Sequence, residues 1–475
     1  MIDASAIQQF RSRFGGTLLA PGSAEYEAAR TVFNAMIDRR PALIAQCATA
    51  ADVVEAVNFA REQALLTSVR CTGHHVGGYA VCDGGLVIDL SRMKAIHVDP
   101  AARTVRVEGG CNWGEVNDAL QPHGLAATGG FVSVTGVSGL TLGGGLGWLV
   151  RKHGLALDNL ISAEVVLADG RLVTASASEN DDLFWAIRGA GGNFGVVTNF
   201  EFQAHPAGTV FAGIVLHPAE SAAGAIQRWR DLEASSPEAS TQGALLFHFP
   251  EDPSGPPPLL GKPMVGLGGV YAGPVEEAER ILRPLREYGP PLVDLFQPTP
   301  YNQAQRMADF LWPRGLFCYW KSSYLNGLSD EAINVIADFF KRVPSKHTVV
   351  VLEHNGNGAM NRVPENATAF GQRGWPYNFL VTSAWTDAKD TDRNIGWTRE
   401  FFAAMRPFMA KAAYVNYLSG DEGVDGLAAA YGAEKLARLA VLKRKYDPAN
   451  LFRMNANIAP ASAETGKPGY GVQTA

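Results

Sequence analysis

Arg70-Cys71-Thr72-Gly73-His74-His75-Val76-Gly77-Gly78-Tyr79 is the stretch that decides the fold of this chain. It sets a histidine inside a loop of small residues that directly follows the apolar run Leu65 to Val69. Glycines at 73, 77 and 78 let the backbone turn sharply and bring its N–H groups close to an anion, and Arg70 adds a fixed charge. A second loop, TGVSGLTLGGGLG from Thr135 to Gly147, repeats the logic with Gly136, Gly139, Gly143, Gly144, Gly145 and Gly147. The segment RKHGLALDN, Arg151 to Asn159, closes it with Asp158 and Asn159. Two such loops can hold one pyrophosphate.

The elements around the first loop support that reading. Thr49-Ala-Ala-Asp52 is a capping box, and the apolar spacing Val53, Val54, Val57, Ala60 predicts a helix to about Gln63. Pro41 to Ala48 supplies a strand before it and Leu65 to Arg70 one after it. This β-α-β start delivers the glycine loop at a strand's end, where phosphate sites are favoured. Further on, Val105 and Val107 alternate as a strand, and Trp113 to Leu120 reads as a helix. Asp169-Gly170 sits between two apolar strands as a hairpin, and Gly195 to His205 ends the first region.

From about Ala207 the texture changes: strand-like runs such as GKPMVGLGGVYAG alternate with helical ones such as VEEAERILRPLREY and SDEAINVIADFFKRV. The class is α+β, with a first domain over 1–206, a second over 207–411 and a C-terminal segment over 412–475. The proline-rich stretch Pro250 to Pro263 is a surface loop. Its likeness to a nucleotide P-loop fails because five residues separate Gly255 from Gly261 and Pro263 stands where Ser or Thr is required.

Composition removes several functions. Of 475 residues 47% are hydrophobic, enough for a large core. There are 41 Lys and Arg against 47 Asp and Glu, a formal charge of −6, with no dense basic run, so nucleic acid and anionic membranes are not expected partners. The first residues lack the basic and apolar stretches of a signal peptide, and no apolar run reaches the ~20 residues that span a bilayer. A cytoplasmic location is expected. Cys47, Cys71, Cys82, Cys111 and Cys318 show no C-x-x-C spacing, which argues against a disulfide framework or a structural zinc.

The two glycine loops and the Arg151 to Asn159 segment together resemble the FAD-binding module of the vanillyl-alcohol oxidase superfamily, in its berberine bridge enzyme-like branch. That family reads R-[SG]-G-G-H-x-x-x-G, then G-V-G-G-x-x-x-G-G-G-x-G, then R-x-x-G-L-x-x-D-N. Later stretches resemble it too: Asp181 to Phe202, Ala413 to Leu418, and Lys445 to Ile458. The resemblance implies a two-domain fold with a PCMH-type FAD domain, a substrate domain whose sheet is covered by helices, and a C-terminal segment that returns to the flavin.

It also implies roles. His74 is where the family bonds a histidine ring nitrogen to the flavin's benzenoid methyl. The loop residues Arg70, Cys71, Thr72, Gly73, His75, Gly77, Gly78 and Tyr79 would cradle the FAD. So would Val132, Thr135, Gly136, Ser138, Gly139, Thr141, Gly144, Gly145 and Gly147, with Asp158, Asn159 and Val197. Asn416, Asn455 and Asn457 resemble residues that hydrogen-bond the flavin or its ribityl chain. Many relatives add a cysteinyl bond, but Val132 stands where that cysteine would be, so attachment through His74 alone is expected.

Flavin oxidation of a C–OH or C–N bond needs hydride delivery to N5 and, for alcohols, a nearby base. Tyr414 occupies the position of a family tyrosine that sits over the flavin, on a strand that Asn416 and Tyr417 continue. A phenol of ordinary pKa about 10 needs a cationic neighbour, or hydrogen bonds that favour the phenolate, to act as base, and Lys321 is a candidate for the cation. Glu353, at the end of the apolar strand Val349 to Glu353, suits a raised-pKa base or an anchor for an amine; an ion pair or a solvated strand end is the other reading for both. The aromatic cluster Phe310 to Trp320 reads as core packing, with a substrate-cavity wall as the alternative.

The expected activity is hydride transfer from a small molecule to covalent FAD, with dioxygen reduced to hydrogen peroxide. A dehydrogenase with another acceptor, or an oxidative cyclase or tailoring enzyme of natural-product biosynthesis, is the alternative. A purely structural flavin is a third reading. A Rossmann nicotinamide enzyme is disfavoured, since the chain contains no G-x-G-x-x-G. No metal is expected. Relatives with similar loops use sugars, hydroxylated aromatics, amines and polyketides.

Overall fold

The computed structural model describes residues 2–253 and 256–462. The Thr49–Asp52 capping box forms: Thr49 Oγ1 accepts from the Asp52 amide at 3.3 Å while Asp52 Oδ2 accepts from the Thr49 amide at 3.0 Å. The helix it starts, Ala50–Glu62, buries Val53, Ala56, Val57 and Ala60. Against it lies a four-stranded sheet in the order Thr17–Leu19, Leu43–Gln46, Leu86–Asp89, Thr67–Arg70. The last three strands are parallel, so Arg70 stands at the carboxyl end of an edge strand and the histidine loop leaves from there.

A second sheet of five antiparallel strands has the order Ile96–Asp99, Thr104–Glu108, Val196–Gln203, Leu160–Val166, Leu172–Ser176. The Asp169-Gly170 hairpin closes its edge, with Gly170 at φ +87, a conformation an L side chain rarely adopts.

The third sheet has eight strands. Along it run Val293–Asp294, Thr209–Pro218, Pro263–Tyr271, Ser240–His248, Val349–His354, Tyr377–Trp385 and Phe317–Leu325, and Gln297–Pro300 pairs beside Thr209–Pro218. Every pairing is antiparallel, so alternate residues share a face. One face carries Phe379 and Val381 into a core with Trp229, Ile333 and Phe401 from covering helices. The other carries Leu245, Phe247, Val351 and Leu380 toward the glycine loops. The proline-rich loop joins two central strands; its Ser254 and Gly255 lie outside the described residues.

The chain then returns to the first region. The helix Gly423–Tyr446, interrupted where Gly432 takes φ +71, packs Leu436, Leu439 and Tyr446 into the core that holds Trp113, Phe200 and Phe202. Lys443, fully buried, fastens it by donating to Asn193 O at 2.6 Å, Phe452 O at 2.8 Å and Asp447 Oδ2 at 2.7 Å. The end of the expected C-terminal segment, 463–475, lies outside the described residues. Among the described residues no helix is long and apolar enough to cross a membrane.

One expected element is different. Ala413 to Leu418 is not a strand: Tyr414 is extended and Val415–Tyr417 is one 3-10 turn. The segment makes no ladder with any sheet, and this changes which tyrosine reaches the site.

Candidate active site

Between the two glycine loops and the inner face of the eight-stranded sheet lies a cavity of about 680 Å³. From the first loop Cys71, Thr72, Gly73, His74, His75 and Tyr79 form its wall. His75 Nδ1 accepts from the Gly77 amide at 3.0 Å and locks the turn. Arg70, Gly77 and Gly78 stand behind it. The Arg70 guanidinium donates to Ala29 O, and Gly78 (φ +67) lies so near Ile37 that a Cβ would come within 2.5 Å of it. These three shape the loop rather than line the cavity.

From the second loop Val132, Thr135, Gly136, Ser138 and Gly139 reach the wall. A Cβ at Gly136 would meet Cys71 Sγ at 2.5 Å, so the absence of a side chain is what lets the two loops approach. Thr141, Gly144, Gly145 and Gly147 lie behind. Asp158 and Asn159 are also structural: Asp158 takes both arms of Arg373 at 2.7 and 3.0 Å, and Asn159 Nδ2 caps Leu155 O at 2.8 Å. Val197, Asn416 and Asn455 line the cavity and Asn457 does not. The loop Gly191, Gly192, Asn193 also lines it. The stretch Asp181 to Phe202 that contains it resembles the family, and its run of glycines around an asparagine is the only local signal for these residues.

These residues fit a flavin nucleotide. Asn455 Oδ1 and His74 Nδ1, both of residues that line the cavity, are buried without a hydrogen-bond partner, and the wall presents backbone rather than charged side chains. Burial, with smaller contributions from Arg314 and His75, pushes the His74 imidazole down to about 4, so its ring is neutral near pH 7. The Phe33 ring supports it at 4.6 Å.

The candidate base moves from Tyr414 to Tyr417. Tyr414 is buried outside the cavity wall, where its hydroxyl accepts from the amides of Gly145 at 2.8 Å and Leu146 at 3.4 Å and from Asn416 Nδ2 at 2.9 Å. It holds the glycine turn in shape. The 3-10 turn carries Tyr417 to the cavity instead, its ring perpendicular to that of Tyr414 with centroids 4.8 Å apart. Tyr417 donates to Glu353 Oε1 at 2.8 Å, and Asn378 Nδ2 donates to Glu353 Oε2 at 2.8 Å. Neither Asn378 nor the Tyr417–Glu353 contact was visible in the sequence, because each partner comes from a different strand or turn.

Glu353 lines the cavity. Burial pushes it up to about 7 against the opposing hydrogen bonds from Asn378, Tyr417 and Asn355. The Tyr417 phenol is raised well above its ordinary value, first by burial and then by the Glu353 charge. Lys321 is not the cation: its Nζ pairs with Asp421 and, at 2.6 Å, with Glu422, away from the cavity. The ion-pair reading holds for Lys321. In the aromatic cluster, Phe310, Leu311, Trp312 and Trp320 line the cavity, so the wall reading holds for those four.

A neutral histidine at a strand end, two interlocked glycine loops and a buried carboxyl–phenol pair across one cavity define a flavin-dependent oxidoreductase. Two family models match: one described as FAD binding domain over residues 41–176, and one described as Berberine and berberine like over 413–459. An FAD-linked oxidoreductase of Dictyostelium discoideum is 31% identical over 456 residues, 96% of this chain and 97% of its own. The (R)-6-hydroxynicotine oxidase of Paenarthrobacter nicotinovorans is 32% identical over 467 residues, 94% and 97% of the two chains. The crystal structure of 6-hydroxy-D-nicotine oxidase from Arthrobacter nicotinovorans superposes with a TM-score of 0.83 at 29% identity, covering 94% of this chain and 98% of that one. The chain belongs to the berberine bridge enzyme-like FAD-linked oxidoreductases, with the two-domain α+β fold of the vanillyl-alcohol oxidase superfamily.

Proposed function

We propose that this FAD-dependent oxidoreductase is an oxidase that holds its flavin by one covalent bond through His74 and oxidises a carbon bearing a hydroxyl or an amine. Bound FAD supplies the two-electron acceptor: the substrate carbon gives up a hydride, and dioxygen takes the electron pair to become hydrogen peroxide. The residues of this chain supply attachment, proton transfer and water exclusion.

The observation that carries the reading is the Tyr417–Glu353 hydrogen bond on the cavity wall. A substrate hydroxyl placed at the Tyr417 oxygen can pass its proton there while the phenol proton moves to Glu353 Oε1. With an ordinary value near ~10, a phenol alone would be a poor acceptor at neutral pH. A carboxyl held at about 7 is a matched one. Asn378 keeps the carboxylate turned toward Tyr417 by occupying its other oxygen. Neutral His74 has the free lone pair that bonding to a flavin methyl requires, and Val132 offers no thiol for a second bond.

The test is anaerobic reduction of the bound flavin by a candidate alcohol or amine, followed by admission of air. Bleaching followed by rapid recovery with one peroxide per carbonyl supports the oxidase. Bleaching with recovery only on adding an artificial acceptor makes the protein a dehydrogenase.

A further inference from the structure

Pairing across the eight-stranded sheet sets Ile214, Gly268, Gly243, Glu353 and Asn378 in one row, directly opposite one another on adjacent strands. Residues so paired share a face, here the face toward the cavity. Beside the carboxyl, two neighbouring strands therefore carry no side chain. Strands lie about 4.8 Å apart, so Gly268 and Gly243 leave a bare strip about 10 Å wide. Gly243 has no positive φ that would call for glycine. On one side the next row on the same face, Leu216, Gly266, Leu245, Val351 and Leu380, is apolar, and on the other Thr241 and Asn355 bring unpartnered polar atoms to the cavity.

Such a strip is a flat floor. Its peptide groups hydrogen-bond within the sheet, so it offers dispersion contacts and little else. Phe131, Trp148, Met307, Leu311 and Trp312 add apolar surface to the same cavity. Among the described residues that line the cavity there is no Lys, Arg or Asp, and Glu353 is the sole Glu. Leu295 and Phe310 line the cavity while remaining 52% and 53% exposed, which makes part of its rim apolar.

We infer that the substrate is an uncharged alcohol on a flat, aromatic or fused-ring body, which lies on the Gly243–Gly268 strip with its carbinol at Tyr417 and Glu353. This rests on the proposed function for the position of the reacting carbon. A sugar ring would find hydrogen-bond partners among Thr241, Gln242 and Asn355 at one end of the strip, but its hydroxyls over the strip and the Leu245 row would lose water without new partners. A carboxylate would meet no cation and would face Glu353.

The inference is tested by binding, which needs no turnover. Calorimetric titration of the flavin-loaded protein at pH 7 uses 2-naphthol, xylobiose and 2-naphthoate as probes. Expected is saturable binding of 2-naphthol, with xylobiose and 2-naphthoate weaker by about tenfold or more. Gly243→Ala and Gly243→Val, which build side chains up from the strip, should weaken 2-naphthol in order of size, by about tenfold or more for valine. Since a Cβ at Gly243 would come within 2.9 Å of Leu352 O, Ile214→Phe fills the strip from its side without touching that backbone and should act likewise. Xylobiose binding as well as 2-naphthol, 2-naphthoate binding equally well, or unchanged 2-naphthol affinity in a folded Gly243→Val or Ile214→Phe protein would each overturn it. If 2-naphthol binds as expected while no alcohol or amine reduces the flavin, the strip stands and the proposed oxidation fails.

Discussion

Tyr417 and Glu353 meet through a 2.8 Å hydrogen bond that joins a 3-10 turn in the C-terminal segment to a central strand of the large sheet. The bond places a carboxyl of the large sheet next to a residue that the chain carries back from beyond that sheet. Neither region alone holds the pair, so its geometry depends on how the C-terminal segment is seated.

The two tyrosines of AYVNYL should separate by function. Tyr417→Phe removes the hydroxyl that faces the cavity, and flavin reduction should slow by about a hundred- to ten-thousandfold with flavin content unchanged. Tyr414→Phe instead leaves the Gly145 amide without its acceptor, at about 1–3 kcal/mol, so it should lower the melting temperature and slow reduction far less. Stopped-flow reduction and thermal melts of both variants check this. Equal kinetic losses would return Tyr414 to the chemistry.

Reduction should depend on pH through Glu353. In the proposed mechanism its deprotonated form accepts the proton, and burial pushes it up to about 7, so the rate should fall as pH drops through 7 and level off above it. Glu353→Gln should be slow and flat across that range.

The same carboxyl should cost stability. Unfolded, it releases its proton near its ordinary 4.5; folded, it holds the proton to about 7. The folded state thus binds more protons between those values, and stability should fall as pH rises from 4.5 to 7. Glu353→Gln should melt above wild type at pH 8, with the gap closing at pH 5, because Asn378 Oδ1, now without a partner, can accept from the new amide. A variant that melts lower at pH 8 would speak against burial as the cause of the shift.

His74→Ala should yield protein whose flavin is released by acid or denaturant. Wild-type flavin should remain with the polypeptide, and peptide mass mapping should find it on the segment containing His74. Flavin on Cys71 or Cys111 would mean that the site is assigned wrongly.

Arg151 tests the joint between the two halves. Fully buried, it binds Glu233 Oε1 at 2.6 Å and the carbonyls of Gly356 at 3.1 Å and Ser236 at 3.0 Å, while His354, beside Glu353, holds the same carboxylate oxygen at 3.0 Å. Arg151→Ala strands the Glu233 charge and should destabilise by about 3–5 kcal/mol in thermal or denaturant unfolding. Arg151→Met with Glu233→Gln should recover much of that loss.

Local rules set by neighbouring residues were enough to place the histidine loop at a strand end, the Thr49–Asp52 cap, the Asp169-Gly170 hairpin and the α+β class. Capping, turn chemistry and apolar periodicity act within a few residues. The wall positions of His74, Val132, Gly136 and Asn455 also follow from motifs whose spacing is local. Only the tertiary structure decided that Tyr417 and not Tyr414 faces the cavity, since the segment takes a 3-10 turn in which the Tyr414 hydroxyl is held by the Gly145 amide. Only it decided that Lys321 is spent on Asp421 and Glu422, that Asn378 steers Glu353, and that Gly243 and Gly268 lie side by side. Those are contacts between segments distant in the chain, fixed by strand register and by the return of the C-terminal segment, and no local pattern encodes them.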